Sequence, residues 1–292
     1  MNLLAWGAAL GLLFHVGSGE VRRFERLAAE DIAAKLSGPA KEVAVRTKFS
    51  SLIGAAQGRL SKVVLQARQF TTDGLPLHTE PFRPQSGSIG SLEIELEDFE
   101  LTGLPVHKLT ASIPDCRFDF GLARREGKVR LSKSGIGVGW VQVEEDALET
   151  FILKKFREIK EVSVRLEKEH VFVKGRGEFL LFDSEFEVIA RFAVEEGVRF
   201  LLTGARIWFD GLSTDAASRQ ILLDTLNPVV DLDRDLKLLG AIRVEKFSLH
   251  DGLLEAWGQA RIPEAPGQAS NPLVAPAIRS CILRQDEPIR RA

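Results

Sequence analysis

The chain of 292 residues contains no tyrosine, one methionine and only two cysteines, Cys116 and Cys281. Two cysteines this far apart form neither the disulfide framework of a small secreted domain nor a cysteine-based zinc site. They can pair in an oxidising compartment, but the sequence favours two free thiols. Neither disulfides nor a thiolate-bound metal is therefore expected to organise the fold.

A strong charge of either sign is also missing. The 39 Lys and Arg residues against 41 Asp and Glu residues give a formal net charge of −2. Proteins that bind nucleic acid gather phosphates with a basic surface. The charge balance thus disfavours a nucleic-acid partner. Apolar residues make up 45% of the chain and charged residues 27%, which is typical of a globular protein with a buried core.

The sequence has no apolar run long enough to span a bilayer. The run from Leu3 to Phe14 has the length of a signal-peptide core, and small residues at 17–19 follow it. No Lys or Arg precedes the run, so a buried N-terminal helix remains the alternative. We expect residues 1–19 to be a signal peptide, with the mature chain outside the cytoplasm, in the periplasm or cell envelope.

Common catalytic and cofactor motifs are absent as well. The five histidines form no zinc-type pair at helical spacing, and there is no Gly-x-Ser-x-Gly nucleophile elbow. The glycine-rich segment Ser86–Gly90 lacks the Lys-Ser or Lys-Thr pair of a phosphate-binding loop, which indicates a flexible connection. We therefore expect no enzymatic activity, no metal and no cofactor.

Two small polar groups could carry chemistry but have simpler explanations. His78 and Glu80 lie in a turn-rich loop and could act as acid and base, although solvated loop residues explain them better. Asp231, Asp233 and Asp235 match the first ligand positions of a calcium loop. Because the later glycine and glutamate positions do not match, an acidic turn between a helix and a strand is favoured.

Helical spacing of apolar residues predicts three helices. The first covers Phe24 to Leu36 and ends at Gly38-Pro39. The second begins at Asp146 as its N-cap and carries an apolar stripe that continues to Ile159. The third begins at Ser213 or Thr214 and stops at Asn227-Pro228.

Alternating apolar residues predict strands through most of the remaining chain. Leu92, Ile94 and Leu96 alternate with glutamates, and 162–173 indicates a hairpin. Residues 179–194 predict one unusually long strand, and Asp251-Gly252 predicts a second hairpin. Residues 20–263 are expected to form a single domain, and the proline-rich residues 264–292 a loosely ordered tail.

Phenylalanine is abundant, with 18 residues, many of them on the second helix and the long strand. An ordinary hydrophobic core explains such residues, and an elongated cavity for acyl chains is the competing hypothesis. The predicted cavity residues lie on one face of each element. They are Leu148, Phe151, Ile152, Phe156, Phe182, Phe186, Val188 and Phe192.

The order of features between Arg130 and Pro263 resembles the LmeA-like phospholipid-binding family, bacterial envelope proteins earlier catalogued as a domain of unknown function. Residues 141–148 resemble the strand that leads into the family's helix, 162–175 its hairpin, and 227–258 its closing hairpin. The weaker first half extends the resemblance to about residues 24 to 263. The resemblance implies a curved sheet wrapped on long helices, similar to tubular lipid-binding folds, and supplies no catalytic residues.

The sequence therefore predicts an α+β fold, with a long, curved antiparallel sheet wrapped on two or three amphipathic helices. The predicted function is non-catalytic binding or handling of phospholipid or another acyl-chain lipid outside the cytoplasm. The expected partner is a lipid or a membrane surface. The alternative is a structural or protein-interaction module of the cell envelope with a filled core.

Overall fold

The computed structural model describes residues 19, 21–179 and 182–266. Most of the predicted signal peptide and most of the predicted tail lie outside the described residues, as does Cys281. Cys116 is buried as a free thiol, and burial raises its pKa.

Five helices occur in the described part of the chain. They are α1 (21–33), α2 (Leu52–Ala56), α3 (Phe120–Glu126), α4 (Glu145–Lys155) and α5 (Ala216–Leu226). The strands fall into two sheets, called sheet A and sheet B below. Sheet A contains β1 (Glu42–Lys48), β2 (Arg59–Arg68), β3 (Thr71–Thr72), β4 (Gly87–Leu101), β5 (Leu104–Phe118), β6 (Leu131–Lys133), β7 (Gly137–Glu144), β14 (Ile242–His250) and β15 (Leu253–Ala260). Sheet B contains β8 (Ile159–Glu167), β9 (His170–Phe179), β10 (Phe182–Glu195), β11 (Arg199–Phe209), β12 (Leu212–Ser213) and β13 (Val230–Asp231).

Sheet A is curled, and its main strand order is β1-β2-β4-β5-β7-β15-β14. Most neighbours are antiparallel, but β2 and β3 each pair with β4 in parallel. The sheet is thus mostly antiparallel, as predicted, but mixed at this point. The chain connects β2 to β4 through residues 69–86, which include the short β3, and returns in the same direction, as a parallel pairing requires.

Strand β4 confirms the predicted alternation, since Leu92 and Ile94 are buried. The flexible loop predicted for Ser86–Gly90 is wrong, because β4 begins at Gly87. The reason is close packing. A Cβ atom on Gly87 would lie 2.5 Å from the Phe118 ring, and one on Gly90 would lie 2.8 Å from the Ser61 carbonyl oxygen. These glycines provide space rather than flexibility.

Sheet B has the order β12-β11-β10-β9-β8, with β13 on β11. The hairpin predicted over 162–173 is confirmed as β8 and β9. The single strand predicted over 179–194 is wrong, because Phe179 at the end of β9 pairs with Phe182 at the start of β10. The two residues between them are apolar, and they lack the Gly, Asn or Asp that signals a hairpin turn in a sequence.

Helix α4 starts at Glu145, one residue before Asp146, which was the predicted N-cap. Its N-cap is Glu144, which makes no side-chain capping bond. The acidic side chains of its first turns instead accept bonds from strand β8: Glu145 from the Leu166 amide at 3.1 Å, and Glu149 from the Val164 amide at 2.7 Å. The helix ends at Lys155, so the apolar stripe predicted to continue to Ile159 leaves helical geometry. These bonds fix α4 against sheet B.

The buried apolar residues form one contiguous cluster that extends from Ala28 in α1 to Ile262 after β15. Helix α4 contacts β5 and β7 of sheet A and β8 of sheet B, which places it between the two sheets. The Asp251-Gly252 hairpin is confirmed as β14 and β15. The fold is α+β with mostly antiparallel sheets.

We expect Gly175→Ala to lower the free energy of unfolding by about 2 kcal/mol, as overpacking of a core does. A Cβ atom there would lie 2.6 Å from Phe186 Cζ and would also meet the Glu161 carbonyl oxygen. Gly139→Ala is the matched strand control, because its nearest neighbour, Ala260 Cβ, is 3.2 Å away. Urea unfolding of both variants measures the difference, and equal stabilities would contradict the close contact over Gly175.

Candidate functional site

The residues predicted to line a cavity do meet between α4 and β10. Six of the eight surround one apolar space, where Val164, Val171 and Leu202 join them. The six are Leu148, Ile152, Phe156, Phe186, Val188 and Phe192. Phe151 is buried but does not line this space, and the Phe182 side chain lies outside what the structure describes.

This space between α4 and sheet B is small. Its volume is about 50 Å³, and a neighbouring space of about 80 Å³, called the inter-sheet space below, lies between sheet A and sheet B with the residues that follow α5. Leu148 and Phe192 line both spaces. Sites for small molecules usually measure about 300–1,000 Å³. In this structure, the side chains of the two sheets and α4 therefore fill most of the predicted groove.

A larger cavity lies beneath α1, with a volume of about 500 Å³. We call it the α1 cavity. Its apolar part comes from α1 above and from β1, β2 and β4 below, and we call this part the floor: Ile32, Val45, Val63, Leu65, Ile89 and Leu92. Charged and titratable side chains also line it: Asp31, Lys35, Asp73, His78, Glu80 and Arg130. An apolar floor with polar groups in a few positions is typical of ligand sites.

Helix α1 is held over the sheet by bonds at both of its ends. Near its start, Glu25 accepts hydrogen bonds from the Thr47 amide at 2.6 Å and from the Thr47 hydroxyl at 2.8 Å. Beyond its end, Lys41 Nζ donates to the carbonyl oxygens of Ala33 at 2.9 Å and Leu36 at 2.6 Å. These bonds fix the helix, while the apolar side chains of its middle leave space above β2 and β4.

The segment after β15 closes one side of the α1 cavity. The Thr79 amide donates to the Pro263 carbonyl at 2.8 Å, and the Ala265 amide donates to the Thr79 carbonyl at 3.1 Å. Ala265 itself lines the cavity. The loop that contains His78 and Glu80 is thus held by the end of the described chain rather than exposed as a free turn.

Arg130 organises the polar side of the cavity. Its Nη1 and Nη2 atoms donate to the two carboxylate oxygens of Asp31 at 2.6 and 3.1 Å, and its Nε lies 3.7 Å from Glu80 Oε1. The hydrogen bond from Arg130 lowers the pKa of Asp31, and the same bond raises the pKa of Arg130. This bidentate pair connects α1 to the segment before β6.

Lys35 is held less tightly than Arg130. Its Nζ lies 3.7 Å from Asp31 Oδ2 and donates to the Pro76 carbonyl at 3.4 Å, and its side chain is 38% exposed. Burial lowers the pKa of His78, and the positive charge of Lys35 lowers it further, so His78 is neutral near pH 7. Glu80 is paired with Arg83 as well as Arg130. These contacts make His78 and Glu80 parts of a cavity wall rather than an acid–base pair.

The three aspartates of the possible calcium loop hold backbone amides. Asp231 Oδ1 accepts bonds from the amides of Asp233 at 3.0 Å and Arg234 at 2.9 Å, and Asp235 accepts one from the Asp231 amide at 2.9 Å. Asp235 also pairs with Lys155 of α4, which joins this turn to the helix. The geometry is that of an acidic turn.

His78 and Glu80 stand out in the sequence, but the α1 cavity does not. Its lining comes from α1, from the five strands β1, β2, β3, β4 and β6, from the loop before β4 and from residue 265. The spacing of Asp31 on α1 and Lys35 just after its end, an i,i+4 pair, was the one signal in the sequence. Such a pair is common on exposed helix faces and does not by itself indicate a cavity.

Within the described residues, no group of three or more His, Cys, Asp or Glu side chains is placed to hold a metal ion. None of the described helices has the length and apolarity needed to cross a membrane. Comparisons with protein-family models, curated proteins and solved structures find no match to this chain. The resemblance to the LmeA-like family therefore stays a prediction.

We expect Asp31→Asn to lower the free energy of unfolding by about 1–2 kcal/mol at pH 7, since bonds between charged groups are worth a few kcal/mol and partial exposure weakens them. Arg130 depresses the folded-state pKa of Asp31. The stabilisation is thus complete above the unfolded value of about 3.9 and is lost as the pH falls through the lower folded value.

Urea unfolding at pH 7, 4 and 3 measures this dependence, and the gap between wild type and variant should narrow toward pH 3. Asp73→Asn is the control, because Asp73 is 75% exposed and its pair with Lys237 should contribute little. A gap that does not change with pH would contradict the role given to the Asp31–Arg130 pair.

Proposed function

We propose that this protein binds an acyl-chain lipid without converting it, and that the lipid chain occupies the α1 cavity. The observation that carries the proposal is a cavity of about 500 Å³ with an apolar floor and charged groups at its edge. An apolar chain can fill such a floor without leaving buried polar groups unpaired. The resemblance to LmeA-like proteins, and through it to tubular lipid-binding folds, supports the same function.

The α1 cavity is preferred over the predicted groove because it is already open. To admit an acyl chain between α4 and β10, the side chains that fill this groove, such as Leu148 and Phe192, would have to move, since the free spaces there measure about 50 and 80 Å³. Displacing packed core side chains costs contacts and rotamer energy. Phe186 and Val188 are therefore core residues in this structure. They would contact a ligand only after the packed side chains had moved.

A structural or interaction module of the cell envelope is the second candidate. It is favoured by the nearly filled interior between the sheets, where rings such as Phe192, Phe200 and Phe247 pack edge to face with centroids about 6 Å apart. In that case the protein would carry no lipid, and the α1 cavity would contain only solvent. Lipid content therefore separates the two candidates.

Lipid carriage is tested by native mass spectrometry of the full chain purified from membranes. We expect lipid adducts on the wild type and loss of at least about 90% of them in Val45→Trp, because an indole would fill the floor of the α1 cavity. Ala256→Val is the control, since it fills the 80 Å³ inter-sheet space instead. Thermal unfolding must show that both variants are folded.

Wild-type protein that never carries or exchanges lipid would rule out the proposed function. Lipid loss in Ala256→Val but not in Val45→Trp would move the site to the inter-sheet space.

We further propose that the protein acts outside the cytoplasm, in the periplasm or envelope, as its export-like start indicates. The mature chain should begin near Gly19 or Glu20. N-terminal sequencing of protein recovered from the envelope checks this expectation. An intact Met1 on protein from the cytoplasmic fraction would contradict both cleavage and export.

A further inference from the structure

We infer that the α1 cavity selects a single-chain amphiphile with one negative charge, of the kind represented by a long-chain fatty acid, and that Lys35 binds its carboxylate. The inference rests on the proposed function and specifies its ligand. Three features of the cavity support it: its volume, the pairing of its carboxylates with other cations and the weak engagement of Lys35.

The volume fits one acyl chain. A water molecule occupies about 30 Å³ of liquid, and a methylene group is of similar size, so about 500 Å³ holds on the order of 16 carbons. That is the length of one common fatty-acid chain. The two chains of a diacyl phospholipid would need about twice this space.

The carboxylates that line the cavity are paired with cations other than Lys35. Each of the three lining carboxylates already has a close cationic partner: Asp31 has Arg130 at 2.6 Å, Asp73 has Lys237 at 2.6 Å, and Glu80 has Arg83. Lys35 is thus the lining cation that none of these carboxylates needs for its closest ion pair. A ligand with a single carboxylate needs one such positive charge.

Lys35 is the cation best placed to supply that charge. Both of its contacts are long, 3.7 Å to Asp31 and 3.4 Å to the Pro76 carbonyl, and Asp31 is already held by both Nη atoms of Arg130. Its ammonium group can therefore turn to a new partner at little cost. His78, neutral in the same wall, adds a hydrogen-bonding group without adding charge, which favours a monoanion over a phosphate dianion.

The test combines a change in the protein with a change in the ligand. Isothermal titration of the full chain with hexadecanoate and with hexadecanol separates binding of the head group from binding of the chain. Lys35→Met keeps the apolar stem of the side chain and removes its charge. We expect the variant to bind hexadecanoate about tenfold more weakly and hexadecanol within about twofold of the wild type.

Lys108→Met is the matched control, because Lys108 is 39% exposed, much like Lys35, but lies outside the α1 cavity. It should leave both affinities unchanged. Thermal unfolding of both variants confirms that the comparison concerns folded protein.

Unchanged hexadecanoate affinity in Lys35→Met would overturn the inference, as would an equal loss for acid and alcohol, which would indicate a structural role for Lys35. A diacyl phospholipid that binds as tightly as hexadecanoate would overturn the single-chain assignment. In each of these cases, if Val45→Trp still blocks lipid binding, the proposed function stands and only the ligand class fails. If the wild type binds none of these lipids, both proposals fail.

Discussion

The inner face of sheet A is the surface that the rest of the structure has to cover. A sheet of nine strands with one apolar face must bury that face against other elements, because exposed apolar area costs free energy in proportion to its extent. A single helix is too narrow to cover the apolar face of all these strands. Helix α1 covers the strands β1, β2 and β4, whereas α4 and sheet B cover the strands β5, β7 and β15. These two sets of covering elements differ in how closely their side chains pack against sheet A.

The cover made by α4 and sheet B fits closely, and it is held by both apolar and polar contacts. Glu145 and Glu149 bind amides of β8, and Lys155 binds Asp235, so the helix is fixed to its neighbours on several sides. Large side chains can then fill the interior to the density of an ordinary core. The spaces between α4 and β10 and between the two sheets measure about 50 and 80 Å³. This half of the molecule has the properties of a scaffold.

The cover made by α1 fits more loosely. Ala28 and Ile32 in the middle of the helix pack into the core cluster. Polar contacts at Glu25, Asp31 and Lys41 hold its ends and its edge above the sheet. The space below is therefore a consequence of how the helix is attached. The pair of Asp31 and Arg130 both anchors the helix and lines the cavity, which places polar groups beside an apolar floor. A loosely covered region next to a rigid scaffold is a common place for a ligand site.

Local chemistry in the sequence was enough to predict much of the secondary structure. The alternation at Leu92 and Ile94, the turn at Asp251-Gly252 and the stop at Asn227-Pro228 depend on neighbouring residues alone, so the strand, the hairpin and the helix end were predictable. The groove residues of α4 and β10 were also assigned to one region, because each set lies on one face of its own element. The parallel pairing of β4 and the role of Gly87 depend on partners distant in sequence. The α1 cavity belongs to this second group. Its size depends on the height of α1 above the sheet, and the weak engagement of Lys35 depends on Arg130 binding Asp31 first, which only the tertiary structure decides.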